Sequence, residues 1–201
     1  MIVRIVIFGV LALGMARAMA ATVQVQVHDN NGKPLADAVV FLESREARAL
    51  TKPLQGAEMA QKAKVFDPTV LVVPVGTAVV FPNRDTVRHH VYSFSPAKSF
   101  ELKLYSGVPA NPVVFDKAGI AVLGCNIHDA MAAWVVVVET PFFGRSGATG
   151  AVAIQAVPAG TYRLRVWHPS LAVGAAAIDQ ALVVGAADVS AVVRLAGASA
   201  L

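Results

Sequence analysis

The feature that most constrains this chain is the way its apolar residues are punctuated. Residues 22–28 read TVQVQVH, alternating valine with polar side chains, the period-2 pattern of a strand with one face buried. Short β-rich runs follow at 38–42 (AVVFL), 70–75, 78–81, 90–94, 113–115, 120–123 and 134–139 (WVVVVE). Others lie at 151–156, 161–167, 181–184 and 189–195, and proline, glycine or asparagine sits between most of them. Many short strands separated by turn signals predict an all-β sandwich or barrel. Asp29-Asn30-Asn31-Gly32 ends in an Asn-Gly pair that tolerates positive φ, and it reads as the turn joining the first two strands. Pro158-Ala159-Gly160 reads as the turn between the runs at 151–156 and 161–167. The polar stretch 45–64 reads as a connection or a weak helix, and 144–150 as a glycine-rich linker. No internal repeat of the solenoid or propeller kind is present.

Composition narrows the function classes. Of 201 residues, 56% are hydrophobic and 15% charged, against roughly 25% charge in a typical globular domain. Such a chain is not disordered. Its single cysteine, Cys125, excludes an intramolecular disulfide framework and any zinc site built on paired cysteines. The formal charge of +4 is scattered, with no basic run to follow a phosphate backbone, so no nucleic-acid partner is expected. Residues 1–20 (MIVRIVIFGVLALGMARAMA) have the layout of a secretory signal peptide. Arg4 supplies the positive start, 5–15 the apolar stretch, and Ala18-Met19-Ala20 the small-residue cleavage site. The apolar stretch, about eleven residues, is shorter than the ~20 that a membrane helix needs. Cleavage after Ala20 leaves 15 basic against 13 acidic residues, a nearly neutral chain expected in the periplasm. No transmembrane segment is expected after signal removal, because the later apolar runs are brief or interrupted by proline or glycine.

The chemistry concentrates in Cys125, His128, Met131 and His89. The loop 124–131 (GCNIHDAM) lies between two predicted strands and places a thiolate, an imidazole and a thioether close together. Blue-copper electron-transfer sites use two histidine nitrogens and one cysteine sulfur in a trigonal plane, with a long axial methionine. The second histidine must come from elsewhere, and His89 opens a strand upstream. His89 and His90 are adjacent on that strand, so their side chains should point to opposite faces and only one can readily join the metal. The bland alternatives are that Cys125 is a small buried hydrophobe and Met131 plain core packing. An unpaired thiol in an oxidising compartment needs protection, however, and a metal provides it. His28 reads as strand-end surface. His168, in Trp167-His168-Pro169, reads as packing, with a second metal or relay role as the alternative. No catalytic triad is legible, Gly144-Arg145-Ser146-Gly147 lacks the last glycine of a nucleophile elbow, and no His-x-His pair of a multicopper oxidase is present.

On these residues the chain resembles the cupredoxin family, its amicyanin and plastocyanin-like members in particular. The stretch Asn83-Arg84-Asp85-Thr86-Val87-Arg88-His89-His90-Val91 is similar to the segment around the first ligand histidine, with His89 in the ligand position. Cys125, His128 and Met131 match the Cys-x-x-His-x-x-Met loop, and residues 135–139 resemble the closing strand. Arg88 stands where that pattern has proline, and His90 where it has asparagine. The resemblance covers roughly residues 58–140. The flanks, 23–42 and 150–167, resemble a carboxypeptidase-regulatory-like β-sandwich, and the combination resembles exported methylamine-utilisation-type proteins. The resemblance implies a cupredoxin Greek-key sandwich inserted in or flanked by a second small β-sandwich. Its expected layout is a signal peptide at 1–20, the first part of the flanking sandwich at 21–57, the copper domain at 58–140, and a linker with the remaining sandwich at 141–201.

The expected function is that of an exported type 1 copper protein holding one copper ion and carrying single electrons between periplasmic redox partners. His89, Cys125 and His128 are the expected equatorial ligands and Met131 the axial one. The expected partner is a redox protein such as a c-type cytochrome or a periplasmic dehydrogenase, met at the edge of His128 beside Ile127, Asp129 and Ala130. One rival is a periplasmic copper carrier or adaptor that does not cycle. The other, a small-substrate oxidase, requires an open metal position, against which Met131 argues.

Overall fold

The computed structural model describes residues 20–200. The secretion signal expected at 1–20 therefore lies outside the described residues except for Ala20, where the first strand begins. In chain order the elements are β1 (Ala20–Asp29), β2 (Val39–Glu43), the helix α1 (Arg45–Ala49), β3 (Ala57–Glu58), β4 (Ala60–Lys62), β5 (Val65–Asp67), β6 (Val70–Pro74), β7 (Thr77–Val80) and β8 (His89–Ser95). They continue with β9 (Lys98–Tyr105), β10 (Val113–Phe115), β11 (Gly119–Gly124), β12 (Ala132–Val138), β13 (Phe143–Arg145), β14 (Ala151–Pro158), β15 (Gly160–Trp167), β16 (Ile178–Val184) and β17 (Val189–Leu195). The protein is all-β, with one short helix among the described residues.

Strands from both ends of the chain pair with each other. Sheet β14-β1-β17 faces sheet β13-β2-β15-β16, and between them lies a core containing Val23, Val25, Val27, Val40, Leu42, Ile154, Leu164 and Leu195. The alternation read in 22–28 has its cause here: the valines of β1 enter this core while Gln24 and Gln26 face out. The intervening segment builds a second sandwich, with β10-β7-β3 against β6-β12-β11-β8-β9 and a small β4-β5 hairpin. Its separate core includes Val79, Phe115, Val91, Leu123, Val135 and Val137.

A third cluster joins the two units. Val39 and Phe41 of β2 and Trp167 of β15 pack on Val70 of β6 and on Val136 and Val138 of β12. The strand β12 is thus buried on both faces, with Val135 and Val137 turned to one core and Val136 and Val138 to the joint. That explains an uninterrupted WVVVV run where a half-buried strand would alternate.

Several features differ from the sequence expectation, among them the stretch 45–64, which holds the strands β3 and β4 as well as α1. The stretch 144–150 is not simply a linker, since β13 pairs antiparallel with β2 from Phe143↔Phe41 to Arg145↔Val39. The turn after β1 forms, with Asp29 Oδ1 accepting from the Asn31 and Lys33 N–H groups at 2.8 Å each and Gly32 at φ 81. It does not pair β1 with β2, however, but carries the chain to the opposing sheet. The turn at Pro158 joins β14 to β15 as expected, and those strands belong to different sheets. Finally, β9 was not anticipated: it is a sheet-edge strand whose Glu101 and Lys103 face solvent, and charged side chains on an edge blunt further pairing.

Candidate metal centre

The site is assembled from three pieces of chain, each fixed by its own local bonds. The loop before β8 is held by Asn83, which is 5% exposed. Its amide donates to the Val87 carbonyl at 2.8 Å and the Tyr105 carbonyl at 2.9 Å, and its Oδ1 accepts the Asp85 N–H at 2.9 Å. The Tyr105 hydroxyl donates to the Phe81 carbonyl at 2.6 Å and lies 2.8 Å from the Gln61 side-chain amide. Burial pushes the Tyr105 phenol up to about 12, so it stays a donor.

Asp85 links this loop to the β4–β5 hairpin. Its two oxygens accept the Ala63 N–H at 2.6 Å and the Lys64 N–H at 2.9 Å. Both turn residues sit at positive φ, 54 and 60, a conformation favouring Asn and Gly. The same carboxylate lies 2.7 Å from His89 Nε2. Burial acts to raise the Asp85 pKa, but the hydrogen bonds from Lys64, His89 and Ala63 outweigh it and hold the carboxyl below its ordinary range. With Nε2 donating to a carboxylate, the lone pair of His89 is left on Nδ1.

That Nδ1 lies 3.9 Å from Cys125 Sγ, and both residues are buried. Cys125 follows β11, whose last residue, Gly124, faces Tyr92 across the ladder. A Cβ at Gly124 would fall 2.8 Å from the Tyr92 ring, so only glycine lets that ring lie against the backbone next to the thiol. The loop after Cys125 closes through Met131 N–H donating to the His128 carbonyl at 2.9 Å. The His128 ring stands 5.0 Å from the His89 ring, and its Nδ1 is buried with no hydrogen-bond partner. The ligand atoms of His89, Cys125 and His128 all lie within 4.8 Å of one another.

A buried imidazole nitrogen without a partner costs free energy unless something fills the role, and a metal ion would fill it. Donors at about 2.0–2.3 Å from a shared ion are roughly 3.5–4 Å apart. The 3.9 Å separation of Cys125 Sγ and His89 Nδ1 matches that span. One thiolate and two imidazoles are also the donor set copper favours. Met131 is 2% exposed and packs in the same core as Cys125.

The remaining histidines stand apart from this group. His90 points to the other face of β8, its ring 5.6 Å from Tyr92, with Nε2 2.9 Å from Glu101 Oε1 but out of line for a hydrogen bond. His168 is buried in the flanking sandwich, between the Ser170 hydroxyl at 2.7 Å and the Ala36 carbonyl at 2.8 Å. His28 is half-buried at the end of β1. Sequence reasoning gave Asp85 no role of its own. The available signal was a carboxylate four residues before a candidate ligand histidine.

No protein-family model matches the sequence, and no curated protein matches it. Among solved structures, the chain is similar to a purple cupredoxin from Nitrosopumilus maritimus, at 24% identity over 41% of this chain and 99% of that one, TM-score 0.36. It is similar to a reduced amicyanin mutant at 23% identity over 49% of this chain and 98% of that one, TM-score 0.38. A copper-containing nitrite reductase from Thermus scotoductus is similar at 23% identity over 48% of this chain, TM-score 0.39, and only 27% of the reductase is spanned.

Proposed function

We propose that this is a periplasmic protein with one type 1 copper ion, which carries single electrons between redox proteins. His89 Nδ1, Cys125 Sγ and His128 Nδ1 would hold the ion, with the Met131 thioether as a fourth donor. The observation that carries the reading is the convergence of one ligand atom from each of His89, Cys125 and His128 within 4.8 Å, with Nε2 of His89 already committed to Asp85. When bound, copper supplies a Cu(I)/Cu(II) couple suited to one-electron exchange.

The chain's own residues do the rest. Asp85 fixes the His89 tautomer, and the 83–88 loop and the closed 125–131 turn hold the donors where they are, so little need move between oxidation states. Burial of Cys125 keeps the thiol from oxidants and from other thiols. His128 is half-buried, with Ile127 47% exposed and Asp129 and Ala130 exposed beside it. This gives a small apolar port for a partner such as a c-type cytochrome or a periplasmic dehydrogenase. Four protein donors leave no open position for a substrate, which favours a carrier over an oxidase. We also assign two domains, copper-binding at 58–140 and a flanking sandwich made of 21–57 and 141–201. Among the described residues no helix is long and apolar enough to cross a membrane.

The test is the visible spectrum of the protein loaded with Cu(II), beside a Cys125→Ser variant. The expected result is an intense thiolate-to-copper band that the variant lacks. Copper bound with only a pale spectrum would overturn the electron-carrier reading in favour of a copper carrier. Failure to bind copper would overturn the metal assignment itself.

A further inference from the structure

The outer face of the five-stranded sheet meets the flanking sandwich along only part of its width. Beside the joint formed by Phe41, Val136 and Trp167 the two units part and leave a cleft of about 770 Å³. Small-molecule sites commonly occupy roughly 300–1,000 Å³ and favour such seams. The residues around the cleft define what it would accept.

Its walls are aromatic. Trp134 and Trp167 stand with ring centres 6.3 Å apart, and the Tyr92 and Phe94 rings follow one another along β8 at 5.3 Å. Phe94 is 78% exposed, and across the opening Val173 is 86% exposed. A phenylalanine left so open beside other rings is unusual unless something covers it. Flat ring systems stack on such surfaces.

Its charge is positive. Arg48, Lys117, Arg163 and Arg165 line the cleft against the carboxylates of Glu43 and Glu139. Arg48 is paired with Glu139 at 2.7 Å, while Arg163 and Arg165 share Glu43 at 3.9 and 3.4 Å. Arg163 also pairs with Asp179 outside the cleft, and the Arg165 guanidinium lies 5.3 Å from the centre of the Phe41 ring. Lys117 is exposed and has no ion-pair partner among the described residues. An acidic group entering the cleft would therefore meet unneutralised positive charge.

We propose that this cleft binds a planar aromatic anion, its rings stacked on Trp134, Tyr92 and Phe94 above the buried Trp167 and its acidic group directed to Lys117 and the neighbouring arginines. The site is independent of the metal donors, none of which lines the cleft.

The chain has two tryptophans and both line the cleft, so tryptophan emission reports on this place alone. The purified protein would be titrated with a naphthoate and with the neutral naphthylmethanol, followed by calorimetry and by tryptophan emission. The expected result is saturable naphthoate binding that changes the emission and is about tenfold tighter than that of the alcohol. Lys117→Gln should weaken the naphthoate about threefold and leave the alcohol unchanged. Phe94→Ala should weaken both. Equal binding of the two probes would overturn the anion assignment. Binding that leaves the emission unchanged, or no binding, would overturn the site. Emission that responds to protein concentration together with dimerisation, and not to either probe, would mean that a second copy fills the cleft, and would overturn it as well.

Discussion

At His89 each ring nitrogen has a separate task, and the division depends on a neighbour four residues earlier. Asp85 takes Nε2 at 2.7 Å and leaves Nδ1 facing Cys125. Replacing such an outer partner of a metal-binding histidine typically costs about 10–100-fold in affinity. Asp85→Ala should lower copper affinity by about that factor in competition with a chelator, with far-ultraviolet dichroism unchanged. His168 works in the opposite sense. It is 1% exposed; its Nδ1 accepts the Ser170 N–H at 3.1 Å and its Nε2 donates to the Ala36 carbonyl, the pattern of a neutral ring. Burial lowers its pKa below the ordinary histidine value, outweighing the Ala36 carbonyl and Asp37, which favour the proton. The unfolded chain therefore takes up a proton near about pH 6.5 before the folded chain does. This contribution to stability is complete above that value and is lost as pH falls through and below it. Denaturant midpoints at about pH 7.5 and about pH 5 should differ less in His168→Gln than in the unaltered protein.

Among the elements, the β4–β5 hairpin and β12 are the most informative. The hairpin turns through Ala63 and Lys64, both at positive φ, and neither is a residue that favours it. The cost, of order 1–3 kcal/mol at each residue, persists only where surroundings impose it, and here the Asp85 carboxylate binds both N–H groups. Lys64→Gly keeps the N–H and removes the side-chain clash, so it should raise unfolding free energy by about 1 kcal/mol, read from the urea midpoint. For β12, the unbroken valine run was legible as a strand, but its two buried faces were not. Alternate valines serve one core and the joint between units, and only the assembled sheets reveal that. The edge strand β9 shows the converse. Its Phe100 and Leu102 point inward at a strand's spacing, but Glu101 between them and Lys103 after them, poor strand formers, obscure it.

Across the whole molecule, three hydrophobic clusters divide the work: one in each sandwich and one between them. Trp167, 3% exposed, belongs to the joint and not to the cluster that holds Cys125 and Met131. Trp167→Ala should cost about 3–5 kcal/mol of stability, as deletion of a buried aromatic does. It should leave the copper spectrum unchanged, which denaturation followed alongside the visible band would check. A spectral change would mean that the joint and the metal centre are coupled.

By itself the sequence determined the all-β class, because period-2 alternation and frequent turn residues permit little else. It also brought together Cys125, His128 and Met131, because seven consecutive residues of one loop cannot be far apart. Strand geometry alone left His89 and His90 as alternatives and the resemblance chose His89; the tertiary structure supplies the physical reason, since adjacent strand residues face opposite ways and the sheet turns His89 toward Cys125 and His128. Only the tertiary structure brought Asp85 and the Ala63–Lys64 turn behind that histidine. The Asn-Gly turn was legible as a turn, but not as a crossing to the opposite sheet, because local backbone preference sets a bend while the partner strand is set by burial. The aromatic, cationic cleft belongs to the structure alone: its walls come from 41–48, 92–97, 117–139 and 163–177, segments that meet only when two separate cores pack side by side.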